Sequence, residues 1–153
     1  MSTSYTVVAS ADMDASPDSV YAIIADYHNG HPHILPKQFR NLTVEKGGVG
    51  AGTIIRFEVR ALGQTQRFRG FVTEPEPGRV LVEEYVEPAP SKTTFLVERN
   101  PSGSGTHVTF TTEMTSRRGL AGVLERFIST RFMKKMYAEE LALLALRARE
   151  TRT

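Results

Sequence analysis

Cysteine is absent from the 153 residues, which excludes disulfides, thiolate nucleophiles and thiolate metal sites. Tryptophan is absent as well, which excludes nothing by itself. No apolar run approaches the roughly 20 residues that a membrane-spanning helix needs. The first residues, Met1-Ser2-Thr3-Ser4-Tyr5, have neither the basic flank nor the apolar core of a secretory signal, so the expected location is the cytoplasm. The only glycine-rich run, Gly47-Gly48-Val49-Gly50-Ala51-Gly52, is not followed by the helix that a phosphate-cradling loop requires. There is no Gly-x-Ser-x-Gly elbow and no basic strand interleaved with aromatics. No cofactor is therefore implied, and nucleic acid is not an expected partner.

What is present suits a folded globular chain, with 40% hydrophobic and 24% charged residues. The length fits a single domain over residues 1–153. The net charge of +2 is unevenly spread. From Arg117 to Thr153 there are nine basic and four acidic residues, a surplus of five positive charges, while the remainder is net acidic. The first reading of that segment is the solvated face of an amphipathic helix.

Thr6 to Met13 alternates as a strand. In Ala15-Ser16-Pro17-Asp18-Ser19-Val20-Tyr21, Ser16 can cap a helix and Pro17 suits its first position, where no N–H is needed. That short helix should run to about Asp26, and Gly30, Pro32 and Pro36 then impose a turn with room for a second helical piece. Beyond it the period changes from 3.6 to 2. Strands are expected over Phe39–Glu45, Thr53–Leu62, Thr65–Glu74, Arg79–Val86, Lys92–Glu98 and His107–Met114, with a hairpin turn at Gly63-Gln64. From Leu120 to about Arg149 no proline interrupts a helical pattern, and no glycine follows Gly122.

A curved antiparallel sheet of about seven strands with a long helix across its concave side encloses space that side chains need not fill. This order, together with the Ala15–Tyr21 helix start, the glycine turn into Gly52-Thr53, the Thr73-Glu74-Pro75-Glu76-Pro77-Gly78-Arg79 turn, the Gly105-Thr106-His107-Val108-Thr109-Phe110 strand and the terminal helix, resembles the START-like (SRPBCC) superfamily. The resemblance spans nearly the whole chain and looks closest to the bacterial polyketide cyclase/dehydrase and lipid-transport branch. It implies an α+β helix-grip fold with two short helices after the first strand and a ligand cavity between sheet and C-terminal helix. The matching motifs are turns and caps, so they speak to fold and not to activity.

By alternation, the expected inner face carries Ile55, Phe57, Val59, Phe68, Val72, Phe95, Val97, Val108, Phe110 and Met114. The helix is expected to add Leu124, Phe127, Ile128 and Met136, with Tyr137 beside them. Phe57, Phe110 and Phe127 should line one cavity. Each of these residues can equally serve as core filling. Tyr27, Tyr85 and Tyr137 can donate hydrogen bonds to a polar ligand head. Glu83 and Glu84 must project to opposite faces. Glu84 shares the parity of Val80, Val82 and Val86, which makes it the expected inward carboxylate and the catalytic candidate. Arg67 and Arg69, flanking Phe68, read as surface charges. His28, His31 and His33 lie close enough to suggest zinc, but Gly30 and Pro32 break any common face and no fourth ligand is near. A hydrophilic loop at the cavity entrance is the expectation, and no metal.

Three functions follow. The first is a carrier or sensor of a small hydrophobic molecule, a lipid or a polyketide-like aromatic. The alternative is a cyclase or dehydratase using the same cavity. The third is contact of the basic helix with an anionic membrane surface. The oligomeric state is left open. A catalytic cavity should contain a titratable group strongly shifted by its surroundings, whereas a carrier's need not.

Overall fold

The computed structural model describes residues 2–151. Strand β1 (Ser2–Met13) leads into helix α1 (Pro17–Ala25) and a single 3-10 turn at His31–His33. Strands β2 (Phe39–Lys46), β3 (Ile54–Ala61), β4 (Gln64–Glu76), β5 (Val80–Glu87), β6 (Ser91–Arg99) and β7 (Thr106–Arg117) follow, and helix α2 (Gly119–Glu150) closes the chain. One antiparallel sheet contains all seven strands in the order β1-β7-β6-β5-β4-β3-β2. Only the β1–β7 pair is not a sequence-adjacent hairpin, so the first and last strands meet at one edge of the sheet and α1 begins the connection from β1 to β2 at the opposite edge. The fold is α+β, of the helix-grip kind. The second of the two expected short helices is only the 3-10 turn.

Local chemistry accounts for most boundaries. Ser16 adopts an extended conformation and its Oγ accepts from the Ser19 N–H (3.2 Å), with Pro17 at the first helical position. Helix α1 stops at Asp26, whose carboxylate accepts from the backbone N–H groups of His28 and Asn29 (both 3.0 Å). The β3–β4 hairpin turns through Leu62 and Gly63, both at positive φ (53° and 76°), one residue earlier than expected. Ala61 and Gln64 close it as a pair. Tyr21 donates to Glu74 Oε2 (2.6 Å), and Glu74 Oε1 accepts from the Ala51 N–H (2.7 Å), which ties α1, the glycine turn and β4 together.

The core lies between the concave face and the second half of α2. Leu81, Phe95, Val97, Val108 and Phe110 of the sheet are buried against Met133, Tyr137, Leu141, Leu144 and Ala148 of the helix, while Val20 and Ile24 of α1 seal one end. On the outer face, Glu45 accepts from Arg56 (2.5 Å) and Arg69 (2.9 Å), so Arg69 is a surface charge and its guanidinium lies over the Phe71 ring.

Candidate functional site

Between sheet and helix is a cavity of about 230 Å³. Its apolar wall is aromatic and aliphatic: Phe39, Ile55, Phe57, Val59, Phe68 and Phe95 from the sheet, Phe132, Met133 and Met136 from α2. Phe57 stacks on Phe68 at 5.1 Å, and both meet the Tyr85 ring edge-on at 5.7 Å. Such a wall suits a flat apolar guest. Leu62, Gln64, Gln66, Ser91 and Ser129 also line the cavity.

One wall is polar and titratable. Strand β5 turns Leu81, Glu83 and Tyr85 inward, and the register aligns Val72, Glu83, Thr93 and Thr112 in a row across β4–β7. Glu83 is 3% exposed. Tyr27 donates to its Oε1 (2.5 Å) and Tyr85 donates to its Oε2. Two phenolic donors, one per oxygen, satisfy an ionised carboxylate. Burial first, then the adjacent Glu83 charge, pushes both phenols well above their ordinary 10.0 and keeps them donors. Tyr137 shares a hydrogen bond with Thr112 (2.6 Å), which shares another with Thr93 (2.8 Å).

Opposite, α2 presents Glu140, also 3% exposed. Burial, and then the nearby Glu83 charge, pushes its carboxyl well above the ordinary 4.5, which favours the protonated acid. His31 lies between the two acids. Its Nδ1 is 2.7 Å from the Ile24 carbonyl oxygen, which can only accept, so Nδ1 carries the hydrogen. Nε2 then faces Glu83 Oε1 at 3.8 Å and Glu140 Oε1 at 3.9 Å. The ring stacks on Tyr27 (4.5 Å) and meets the edge of Phe95 (5.9 Å). The turn that delivers His31 depends on Gly30, because a Cβ there would stand 2.5 Å from the Ile23 carbonyl oxygen. A carboxylate, a carboxylic acid and an imidazole thus surround one apolar cavity. That set can take and give protons.

Several sequence expectations are corrected here. Glu84 is exposed on the outer face, and Glu83 is the inward carboxylate. The parity argument failed because Val82 and Val86 belong to the outer face, where β-branched residues suit a strand whether or not it is covered. Leu81 and Tyr85, flanking Glu83, were the truer guides. Leu124, Phe127 and Ile128 do not line the cavity, and Phe127 is 59% exposed, because the buried stripe of α2 runs through Met133, Tyr137, Leu141, Leu144 and Ala148 on another side of the helix. Phe57 does reach the cavity, whereas Val72, Val97, Val108 and Phe110 are buried in the core outside its wall. Tyr27 also stays behind the wall, holding Glu83. Ile55, Val59, Phe68, Tyr85, Phe95 and Met136 line the cavity.

The three histidines part company. His31 is buried, His28 and His33 are exposed, and among the described residues no group of His, Cys, Asp and Glu has the arrangement of a metal site. Glu140 and His31 were missed as acid–base candidates. A signal existed for Glu140: it falls within the same three- and four-residue steps as Met136, Tyr137 and Leu144. For His31 there was none, since its burial depends on the Gly30 turn closing against α1.

Sequence comparison adds the family. Residues 4–149 match the family described as polyketide cyclase / dehydrase and lipid transport. The chain belongs to that family. No curated protein is similar enough to match it. Among solved structures, the KanY protein shares 22% identity, with 96% of this chain and 99% of that one covered, at a TM-score of 0.83. The Zhui aromatase/cyclase of a Streptomyces species shares 15%, covering 97% and 95% of the two chains, at 0.78. Norcoclaurine synthase of Thalictrum flavum, solved with dopamine and hydroxybenzaldehyde, shares 15%, covering 99% and 90%, at 0.74. At these identities the likeness establishes the helix-grip fold, and the family membership places a hydrophobic-ligand fold here. No helix among the described residues is long and apolar enough to cross a membrane.

Proposed function

We propose that this family member is an acid–base catalyst acting on a small hydrophobic carbonyl compound of polyketide type, by enolisation leading to cyclisation or loss of water. The observation that carries the reading is the Glu83–His31–Glu140 cluster inside an otherwise apolar cavity. Burying ionisable groups costs several kcal/mol unless hydrogen bonds or neutralisation compensate, a cost that a carrier lined with apolar residues would not incur. The protonated Glu140 supplies the shifted acid that distinguishes the catalytic alternative from simple carriage.

In this reading the aromatic walls hold the guest and exclude water. Glu83 removes a proton from the carbon beside the carbonyl, using the lone pairs its two tyrosines leave free. Glu140 donates its proton to the developing enolate oxygen, or to a departing hydroxyl. The His31 Nε2 lone pair, between the two acids, returns the proton from one to the other. The balance closes, with one proton taken from carbon and one given to oxygen.

The test is deuterium incorporation at the carbonyl-adjacent carbons of benzylacetone in deuterium oxide, followed by proton NMR. The wild type should exchange it well above buffer. Glu83→Gln keeps the shape and should cut the rate by about 10² to 10⁴, while benzylacetone affinity changes by about tenfold or less. Exchange no faster than buffer, with binding intact, leaves the carrier reading in possession of the cavity.

A further inference from the structure

The first three turns of α2 expose the residues that its second half would bury. Leu120 is 89% exposed, Leu124 60% and Phe127 59%, and Val123 and Ile128 accompany them. Steps of three and four place them on one face, and the same face continues as Arg131, Lys134 and Lys135. Arg117 and Arg118 flank its other end. Among the described residues, Arg118, Arg126, Lys134 and Lys135 pair with no acidic side chain, and only Arg117 is matched, by Glu125 (3.1 Å). Arg118 caps the helix without a side-chain bond, and the first turn has no acidic residue. The result is an apolar strip with cations at both ends.

We propose that this face docks on an anionic lipid bilayer. An interfacial helix buries its apolar side about 5–10 Å into the headgroup boundary while its cations meet phosphates, and each basic residue near an anionic surface adds about 1 kcal/mol, or roughly fivefold in affinity. Charge argues against a second copy as the occupant. Stacked in either direction, two such faces bring cations against cations, because both ends of the strip are basic. On their other side the neighbouring turns present Ser129, Phe132 and Met133 to the cavity, so docking sets the cavity wall against the membrane. The proposal does not depend on the catalytic reading.

The experiment is co-sedimentation of the full chain with vesicles of phosphatidylcholine alone and of phosphatidylcholine mixed with phosphatidylglycerol. The wild type should bind the anionic vesicles at least about tenfold more tightly, and lose that preference at about 1 M salt, where screening acts over about 3 Å. The Leu124→Asp, Phe127→Asp double variant should stay in the supernatant with an unchanged melting temperature. Lys134→Glu with Lys135→Glu should weaken binding about tenfold or more. Absence of vesicle binding, equal binding to both vesicle types, or sedimentation velocity revealing a dimer that the double variant dissolves would each overturn the proposal.

Discussion

Glu140 is an ionisable group buried on a helix and lining the cavity. Its native carboxyl titrates well above 4.5, because burial and then the Glu83 charge oppose ionisation. Between 4.5 and that raised value the native state binds a proton that the unfolded chain has released, so stability falls as pH rises through the window. The contribution is complete below the unfolded value and is lost above the native one. Glu140→Gln removes this dependence. The variant should match the wild type near pH 4.5 and gain on it as pH rises, seen as a melting temperature increasingly above that of the wild type. Melting curves across that range check it, and an advantage that shrinks with rising pH would refute the assigned protonation. Glu83 tells the complementary story. That one of two adjacent glutamates must face inward was legible in the sequence, but which one was not, because alternation gives parity without direction.

At the scale of elements, strand β5 and helix α2 make the site, and each owes its orientation to a neighbour. Arg69 pairs with Glu87 and Gly70 with Tyr85, so β5 has an extra residue, Val86, at a bulge beside the site. Tyr85 then lies across Gly70, where a Cβ would stand 2.8 and 2.9 Å from two ring carbons. Gly70→Ala should push the ring off and break its bond to Glu83. The expected cost is about 1–3 kcal/mol of stability together with a loss of benzylacetone exchange, read by urea denaturation and by the exchange assay. Unaltered exchange in a folded variant would show that Tyr85 does not position Glu83. Helix α1, by contrast, was readable from Ser16 and Pro17 alone, because a cap is a local hydrogen bond between residues three apart. Helix α2 was readable as a helix but not in its facing, since apolar residues occupy different sides in its two halves.

Over the whole molecule, β1 extends the sheet beyond β7, and the single seven-stranded sheet packs on α2 while leaving a cavity instead of a solid core. The second half of α2 is the part that holds the sheet. Leu144, with no exposed surface, should cost about 2–5 kcal/mol on truncation to alanine. Leu124→Ala should stay within about 0.5 kcal/mol of wild type. Urea midpoints for the pair test this division, and comparable losses would mean that the first half of the helix is packed after all. The seven strands, the short capped helix, the long terminal helix and the aromatic character of the cavity wall were determined by the sequence, because periodicity, turn residues and caps act between near neighbours. The choice of Glu83 over Glu84, the burial of His31, the meeting of both with Glu140 and the outward turn of Leu124 and Phe127 were decided only by the tertiary structure. Those features depend on which face of a strand or helix meets a distant partner, and that is settled by packing across the sheet.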